Sequence, residues 1–233
     1  MTDRVIELID SYFQKLPNKT SNNTLANYND RVEAGGSNGN FYTHINYHTM
    51  KQALLELVKL NKNYYYIVET GCAAHGTKST LLWDHFVNIF GGKVNSVDLD
   101  SKAVNTTNNL VSPKTKVTCS DSLNYLPNLS EKIDFLYLDS YDVDFCNPLP
   151  SAEHHLKEFN CIKHLLQKGS VVLIDDTPVS PEWLDDGKCN SNYNAIKSIF
   201  NPNLSGKGSL VNIELENMGA TKIMHQYQVL WII

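Results

Sequence analysis

Hydrophobic and polar residues follow two different periods along this chain. In residues 3–16, Val5, Ile9 and Phe13 recur at helical spacing, which predicts an amphipathic helix. From residue 64 to residue 174, short runs rich in β-branched and aromatic residues alternate with stretches of helical period. The predicted strands are 64–69, 93–98, 116–120, 133–139 and 170–174, and the predicted helices are 50–60, 77–90, 102–110 and 152–167. This alternation is typical of a parallel sheet built from right-handed crossover units.

The two ends of the chain depart from this alternation. Residues 18–46 are rich in Asn and Gly and contain too few apolar residues for a core, so they predict a loop or lid. Residues 210–215 and 226–233 are strand-like runs with Gly219 between them, which predicts an antiparallel hairpin at one edge of the sheet. We therefore expect N-terminal helices and a lid over residues 1–62, followed by one Rossmann-like α/β domain over residues 63–233.

The composition of the 233-residue chain narrows the classes of protein to which it can belong. Its net charge of −5, without a basic run, argues against a nucleic acid or an acidic membrane as the partner. No stretch approaches the roughly 20 apolar residues that cross a bilayer, and the first residues lack the apolar block of a signal peptide. The five cysteines are scattered without a C-x-x-C pair, which favours a reducing cytoplasm over a disulfide framework or a zinc cluster.

Acidic residues stand at the ends of the predicted strands. They are Glu69, Asp98, Asp139 and the pair Asp175-Asp176, with Asp121 directly after the third strand. Ligands of an open parallel sheet bind beyond the carboxyl ends of its strands, so these carboxylates gather where a ligand would lie. Like charges repel unless a cation or a donor-rich ligand joins them. Each acid alone could instead cap the helix that follows it, but the set as a whole predicts a ligand.

A loop that contains two glycines, Gly71 and Gly76, joins the first strand to the next helix. Glycines at such a position let the backbone approach a ligand. The dinucleotide-binding pattern G-x-G-x-x-G is absent because position 73 is alanine, and the phosphate-binding P-loop pattern is broken because Thr77 separates Gly76 from Lys78. A third interpretation combines the loop with Asp98, which has the spacing of an acid that accepts ribose hydroxyls.

Several short runs, taken in order, resemble the class I S-adenosylmethionine (SAM) dependent methyltransferases. They are Val68-Glu69-Thr70-Gly71, Ser96-Val97-Asp98-Leu99-Asp100, Ser120-Asp121-Ser122 and Phe135-Leu136-Tyr137-Leu138-Asp139. The resemblance covers residues 64–233 and implies a seven-stranded, mostly parallel sheet with a C-terminal antiparallel hairpin. Asp139-Ser140-Tyr141-Asp142, followed by Asp175-Asp176, is similar to the metal-dependent O-methyltransferases, above all the macrocin-type enzymes that methylate sugars.

The resemblance also implies roles for individual residues. Glu69 and Gly71 would hold the methionine end of SAM, Asp98 would accept from the ribose hydroxyls, and Asp121 with Ser122 would border the adenine. The full set of implied cofactor-binding residues is Glu69, Gly71, Cys72, Gly76, Ser79, Asp98, Leu99, Asp121, Ser122 and Asp139. Asp139, Asp175 and Asp176 would bind a divalent cation. The chain departs from the family pattern in a slightly longer glycine loop and in Asp142, where many relatives carry histidine.

A metal is also expected from the residues alone. The carboxylates of Asp139, Asp175 and Asp176 come from two adjacent strand ends and would form a hard-oxygen site, which favours Mg²⁺, Mn²⁺ or Ca²⁺ over zinc, with Mg²⁺ or Mn²⁺ the expected ion. Alternatively, Asp176 only opens the turn at Thr177-Pro178. A cation would suit the chemistry, since a sugar hydroxyl is about as weak an acid as water, whose pKa falls from 15.7 to about 7 on a suitable metal.

Candidate general bases stand near the start of the long helix after the fourth strand. His154 and His155 are adjacent there, and neighbouring residues of a helix point about 100° apart, so only one is expected to face the site. Asp139 is a further catalytic candidate, and Asp142 is an alternative base. Trp183 would either stack on a sugar ring or anchor its own loop.

The expected function is a divalent-metal-assisted, SAM-dependent O-methyltransferase that acts on a sugar or glycan hydroxyl. The alternatives are an O-methyltransferase of a catechol-like or other small molecule, a P-loop-like NTPase or kinase, a non-catalytic SAM-binding module and, last, a nicotinamide dehydrogenase. The expected partner is the hydroxyl-bearing acceptor, with no nucleic acid and no membrane. The N-terminal helix and lid are candidates for the arm of a homodimer.

Overall fold

The computed structural model describes residues 1–15, 44–72, 77–185 and 191–233. Of the predicted lid, only residues 44–46 fall within these ranges, and Gly76 falls outside them. In the described ranges, no helix combines the length and the apolar character that a membrane crossing requires.

A seven-stranded sheet forms the centre of the molecule. Its strands are β1 Tyr65–Thr70, β2 Gly92–Asp98, β3 Thr115–Cys119, β4 Ile133–Leu138, β5 Leu166–Ile174, β6 Thr221–His225 and β7 Val229–Ile232. The strand order is β3-β2-β1-β4-β5-β7-β6, in which β1 to β5 are parallel and β7 is antiparallel to both of its neighbours. This confirms the predicted Rossmann-like sheet with its C-terminal antiparallel hairpin. The order reverses between β1 and β4, which opens a crevice beyond the carboxyl ends of these strands.

Helices cover both faces of the sheet. They are α1 Thr2–Lys15, α2 Tyr47–Lys59, α3 Ser79–Phe90, α4 Ser101–Asn108, α5 Ser122–Tyr125, α6 Leu149–Ile162, α7 Ser191–Ile199 and α8 Ser209–Asn217. On one face, α1, α2 and α3 share a hydrophobic cluster with β1, β4 and β5 that includes Phe13, Trp83 and Phe135. On the other face, α6 and α8 pack through Phe159 and Val211. The two central strands β1 and β4 are buried along their whole length, as covered faces on both sides of a parallel sheet require, whereas β2 and β3 towards the edge keep polar positions.

The first helix belongs to the same core as the sheet. Val5, Ile9 and Phe13 of α1 are fully buried, as their helical spacing predicts. The hydroxyl of Tyr12 lies 2.6 Å from the carbonyl oxygen of Thr77 and 2.7 Å from that of Lys78. Through this contact, α1 fastens the segment that leads into α3.

The prediction of a strand at residues 210–215, the first half of the hairpin, was wrong. Residues 210–215 lie in α8, where Val211 and Leu215, one turn apart, are buried. A short apolar run fits a strand and a buried helix equally well, so its neighbours decide between them. Here Trp231 of β7 donates from Nε1 to Asn212 Oδ1 at 2.8 Å and fixes the helix against the sheet. The hairpin is formed by β6 and β7 instead.

The predicted boundaries of the long helix after β4 were also wrong. Helix α6 begins at Leu149, before the predicted residue 152, and ends at Ile162, followed by a 3-10 turn at Lys163–Leu165. Strand β5 then begins at Leu166, before the predicted residue 170. As a result, His154 and His155 lie in the second turn of α6 and do not open it.

Candidate functional site

A cavity of about 720 Å³ lies beyond the carboxyl ends of β1 to β5. Its volume is within the range that encloses a small-molecule ligand. The half beside β2 and β3, which we call the β2 end, is lined by Gly71, Asp98, Leu99, Asp121 and Ser122. The half beside β4 and β5, which we call the β5 end, is lined by Asp139, Tyr141, Asp175, Asp176 and Lys207, with His154 at its border with the β2 end, where Nε2 lies 3.4 Å from Ser122 Oγ. Most of the residues singled out from the sequence therefore line one cavity.

Gly71 is the point at which the ends of β1 and β4 meet. Its φ is +83°, and a Cβ atom at this position would lie 2.3 Å from the carbonyl oxygen of Asp139. Its N–H donates to the carbonyl oxygen of Val97 at 2.8 Å, which also ties it to β2. Only glycine combines this backbone conformation with so close an approach. The bare backbone at Gly71 thus forms part of the cavity floor.

Glu69, the acid of β1, is fully buried between the first turns of α3 and strand β2. Its carboxylate accepts from Ser79 Oγ and Ser96 Oγ, each at 2.6 Å, from Trp83 Nε1 at 2.9 Å and from Thr80 Oγ1. Burial raises the pKa of Glu69, and these four hydrogen bonds oppose the rise. Glu69 and Ser79 hold α3 against β1 and β2, and neither lines the cavity in which the resemblance implies that they bind SAM.

Asp98 and Asp121 provide fixed carboxylates at the β2 end. Asp98 accepts from the backbone N–H groups of Cys72 at 2.9 Å and Asp100 at 2.8 Å. Because a carboxylate offers about four acceptor sites, Asp98 keeps capacity for two hydroxyl donors. Asp121 caps α5 by accepting a backbone N–H at 2.7 Å, and the next residue, Ser122, is buried.

Three further residues between strands and helices, Cys72, Lys78 and Leu99, take different positions. Cys72 is buried at 1% exposure, and Leu99 is 71% exposed at the rim of the cavity. Lys78 lines a separate groove between α1 and α3, with Tyr12 and His85, and it does not line the cavity. The position of Lys78 argues against the P-loop interpretation, in which the lysine would reach the phosphates of a bound nucleotide.

At the β5 end, the three predicted metal ligands come together around a lysine that the sequence reasoning missed. Nζ of Lys207 lies 2.8 Å from Asp139 Oδ1 and 2.9 Å from Asp176 Oδ2. Burial works against the charged form of Lys207, but the carboxylates of Asp139, Asp176 and Asp175 outweigh it and raise the pKa of Lys207 above its ordinary value. The side chain is therefore an ammonium at neutral pH.

Asp175 accepts hydrogen bonds from neutral donors on β4, on the turn before β7 and on the residue before α2. Tyr137 donates from its hydroxyl to Oδ2 at 2.8 Å, and Gln228 donates from Nε2 to Oδ1 at 3.0 Å. Asn46 adds a longer contact from Nδ2 at 3.5 Å. Burial, followed by the charge of Asp176, raises the pKa of Asp175, whereas Lys207 and Tyr137 oppose the rise.

Two glycines bring Lys207 to this position. A Cβ atom at Gly206 would lie 1.8 Å from the carbonyl oxygen of Asp176, and one at Gly208 would lie 2.9 Å from Oγ1 of Thr177. The N–H of Lys207 donates to the carbonyl oxygen of Asp176 at 3.1 Å. The sequence signal that could have revealed the site is Gly-Lys-Gly, because it marks a lysine on a segment able to lie flat against another backbone.

The arrangement does not fit a divalent cation at the three aspartates. Hard cations bind carboxylate oxygens at about 2.0–2.6 Å, and the oxygens of Asp139 and Asp176 that a bridging ion needs already hold the ammonium. Among the residues that the structure describes, no group of three or more His, Cys, Asp or Glu side chains is arranged to hold a metal ion. Gly-Lys-Gly marks the backbone geometry of Lys207 but not its partners, because Asp139 and Asp176 are 68 and 31 positions away in the chain.

The two candidate histidines take different positions. His154 lines the cavity, and its Nε2 lies 3.2 Å from Oε1 of the buried Glu158. Burial by itself would raise the pKa of Glu158, but hydrogen bonds from His154 and neighbouring serines, with the charge of His155, hold it below its usual range. His155 is fully buried, and its Nδ1 donates to the carbonyl oxygen of Ser151 at 2.7 Å.

His155 predicts a loss of stability in acid. Burial lowers the pKa of His155 to about 4 from its ordinary value of 6.5, so the unfolded chain binds the proton more readily. Its contribution is complete above pH 6.5 and is lost as the pH falls towards 4, by up to about 3 kcal/mol of unfolding free energy. Urea denaturation between pH 7 and pH 4.5 measures this slope. We expect a shallower slope for His155→Gln and an unchanged slope for the exposed His164→Gln; equal slopes in all three proteins would contradict the prediction.

Comparison with known proteins identifies the fold. No protein-family model matches the chain, and no curated protein is similar to it in sequence. The methyltransferase PaMTH1 from Podospora anserina, solved with bound S-adenosylhomocysteine (SAH), is similar in structure, with a TM-score of 0.51 and 13% identity over 99% of this chain and 87% of that one. This chain has the fold of class I SAM-dependent methyltransferases.

A second solved structure has the same fold. MycE, a methyltransferase from the mycinamycin biosynthetic pathway in complex with Mg and SAH, has a TM-score of 0.52 and 12% identity over 79% of this chain. The match spans 49% of MycE, about half of its length. At such identities the likeness concerns the fold, and the chemistry of this chain has to be argued from its own residues.

Proposed function

We propose that this chain is a SAM-dependent O-methyltransferase that acts on a hydroxyl of a small polar molecule, with sugars as the first class to test. The observation that carries the proposal is that one cavity contains both a carboxylate able to bind ribose hydroxyls and a pair of residues able to act on an acceptor hydroxyl. Its β2 end holds Asp98, with capacity for two hydroxyl donors, and its β5 end holds His154 and Lys207. The backbone of Gly71, at the inner edge of the β2 end, lies against the backbone of Asp139 at the β5 end.

The β2 end supports binding of the nucleoside part of SAM. The carboxylate of Asp98 is fixed by two backbone N–H groups and would accept from both ribose hydroxyls, while Asp121 and Ser122 border the space beyond it. When bound, SAM supplies a methyl group on a cationic sulfur.

The β5 end supports removal of a proton from a hydroxyl. If Nε2 of His154 donates to Glu158, Nδ1 is the basic nitrogen of the neutral ring. The hydroxyl proton would pass to this nitrogen during methyl transfer, in which an O–CH3 bond replaces the S–CH3 bond and SAH is left, and the buried Glu158 would stabilise the imidazolium. Asp142, the alternative base, lies on the exposed rim of the same end.

An aromatic surface at the mouth supports a ring-shaped acceptor. Tyr141 is 54% exposed, lines the cavity and lies against the His154 ring with centroids 5.1 Å apart. The face of the Tyr141 ring that is not against His154 suits the apolar side of a sugar ring. Trp183, the aromatic residue considered from the sequence, is buried at 5% exposure and does not line the cavity.

The first test is calorimetric titration of SAH into the wild type and Asp98→Ala. Two charge-assisted hydrogen bonds to ribose are lost in the variant, and we expect its affinity to fall by roughly 100-fold. The 2′-deoxy analogue of SAH should bind the wild type roughly tenfold more weakly, yet bind Asp98→Ala as well as SAH does, because the partner of the missing hydroxyl has been removed.

Glu131→Ala, an exposed acid far from the cavity, is the control and should bind SAH like the wild type. If the wild type binds neither SAM nor SAH, the proposed function fails, and nucleotides become the ligands to test. If it binds both, methyl transfer from labelled SAM to a panel of sugars, catechols and amines tests the acceptor. Transfer confined to amines would refute the hydroxyl assignment.

A further inference from the structure

We propose that Lys207 takes the place of a divalent cation at the β5 end and donates a hydrogen bond to the acceptor oxygen during methyl transfer. This inference rests on the proposed function for the identity of the acceptor. The substitution of an ammonium for a metal rests on the described contacts alone. It predicts a methyltransferase whose positive charge is covalently part of the chain.

The contacts of the ammonium leave one donor for a ligand. An ammonium carries three N–H groups, and two of them are used by Asp139 Oδ1 at 2.8 Å and Asp176 Oδ2 at 2.9 Å. The next nearest acceptor is the carbonyl oxygen of Asp139 at 3.5 Å, the outer limit of a hydrogen bond. Since Lys207 lines the cavity, this third N–H is available to an oxygen bound there.

The site holds Lys207 in one position. Its side chain is 2% exposed, and its own N–H is bound to the Asp176 carbonyl oxygen at 3.1 Å. Asp176 has a φ of +41°, a strained conformation for a residue other than glycine, and its second oxygen accepts from the hydroxyl of Tyr227. Strain of this kind persists where surrounding contacts over-determine the geometry. The ammonium is therefore a fixed charge and not a mobile surface lysine.

A metal and this lysine exclude each other. A cation that bridges Asp139 and Asp176 would occupy the position of Nζ, and two positive charges so close together repel strongly. The third carboxylate, Asp175, already accepts from Tyr137 and Gln228. Removal of the ammonium should leave Asp139 and Asp176 beside Asp175 without a positive counter-charge, and carboxylate oxygens are the ligands that Mg²⁺ and Mn²⁺ prefer.

The test is titration of Mn²⁺ into the metal-free proteins, followed by calorimetry and by the electron paramagnetic resonance signal of free Mn²⁺. We expect no saturable binding by the wild type below millimolar Mn²⁺, and at least tenfold tighter binding by Lys207→Ala. Lys207→Arg, which keeps the positive charge, and Lys163→Ala, which removes a lysine paired with Glu214 outside the cavity, should both behave like the wild type.

The outcomes are separable. Binding of Mn²⁺ by the wild type that Asp175→Asn abolishes would overturn the proposal, and this arm stands even if Lys207→Ala does not fold. Equal, weak Mn²⁺ binding by a folded Lys207→Ala and the wild type would also overturn it. SAH affinity, measured in parallel with EDTA and with Mg²⁺, reports on the proposed function separately, because a failure to bind SAH leaves the Mn²⁺ result intact.

Discussion

Gly71→Ala is expected to destabilise the protein by more than about 4 kcal/mol and to reduce SAH affinity at least 100-fold in whatever fraction still folds. The added Cβ would lie 2.3 Å from the carbonyl oxygen of Asp139 and 2.7 Å from its carbonyl carbon. Both are backbone atoms at the end of β4, so neither can move without separating β4 from β1 or β5. Urea denaturation and SAH calorimetry measure the two effects.

Gly219→Ala is the matched control for this prediction. Gly219 also has a positive φ, +76°, but a Cβ there would meet nothing within 4 Å. We expect it to cost only the left-handed backbone strain of about 1–2 kcal/mol, with SAH affinity unchanged. Equal destabilisation by the two substitutions would contradict the prediction, because it would mean that the close contact of Gly71 with the end of β4 adds nothing beyond the strain.

Glu69→Ala is expected to lower the free energy of unfolding by about 3–5 kcal/mol, because it leaves buried donors without their acceptor. Of these donors, the N–H of Trp83 can only donate, and Ser79 and Thr80 are the first two residues of α3. We also expect weaker SAH binding, since Thr80, which also donates to the carbonyl oxygen of Cys72 at 3.0 Å, loses its carboxylate partner. Thermal and urea unfolding, with and without SAH, measure both effects.

Glu69→Gln separates hydrogen bonding from charge. A glutamine oxygen facing Ser79 and Trp83 keeps both of those hydrogen bonds, and its amide group can donate to the hydroxyl oxygens of Thr80 and Ser96. We therefore expect a third or less of the destabilisation caused by Glu69→Ala, with SAH binding retained. A Gln variant as unstable as the Ala variant would show that the negative charge itself is needed.

The cavity also shows which kinds of site residue can be predicted locally. Asp98, Asp121 and Asp139 were found because each stands at the end of a predicted strand or just after it, and parallel strands bring their carboxyl ends to one edge. His154 and His155 were indistinguishable in the sequence, because the rotation of α6 about its axis depends on the residues packed beneath it. Glu69 looked like a cofactor ligand because its position in the pattern does not show that four donors enclose it.

The C-terminal part of the chain marks the limit of pattern reasoning. The apolar pattern of residues 210–215 fits a strand and a buried helix equally well. The hydrogen bond from Trp231 to Asn212 stabilises the helix. Lys207 escaped notice for a related reason: its partners Asp139 and Asp176 lie 68 and 31 positions earlier in the chain. No local period records such a contact.

The order of the strands from β1 to β5 and of the long helices between them, the edge at which the acids meet and the glycine turn at Gly71 follow from the amino-acid sequence, because each depends on a short-range pattern or on a general rule of parallel sheets. The charge balance at the β5 end does not follow from it. Three aspartates indicate a metal site when considered alone, and folding adds the ammonium that neutralises part of their charge. Electrostatics depends on distance in space, and only the packing of Gly206 and Gly208 against Asp176 and Thr177 brings that ammonium within 3 Å of the carboxylates.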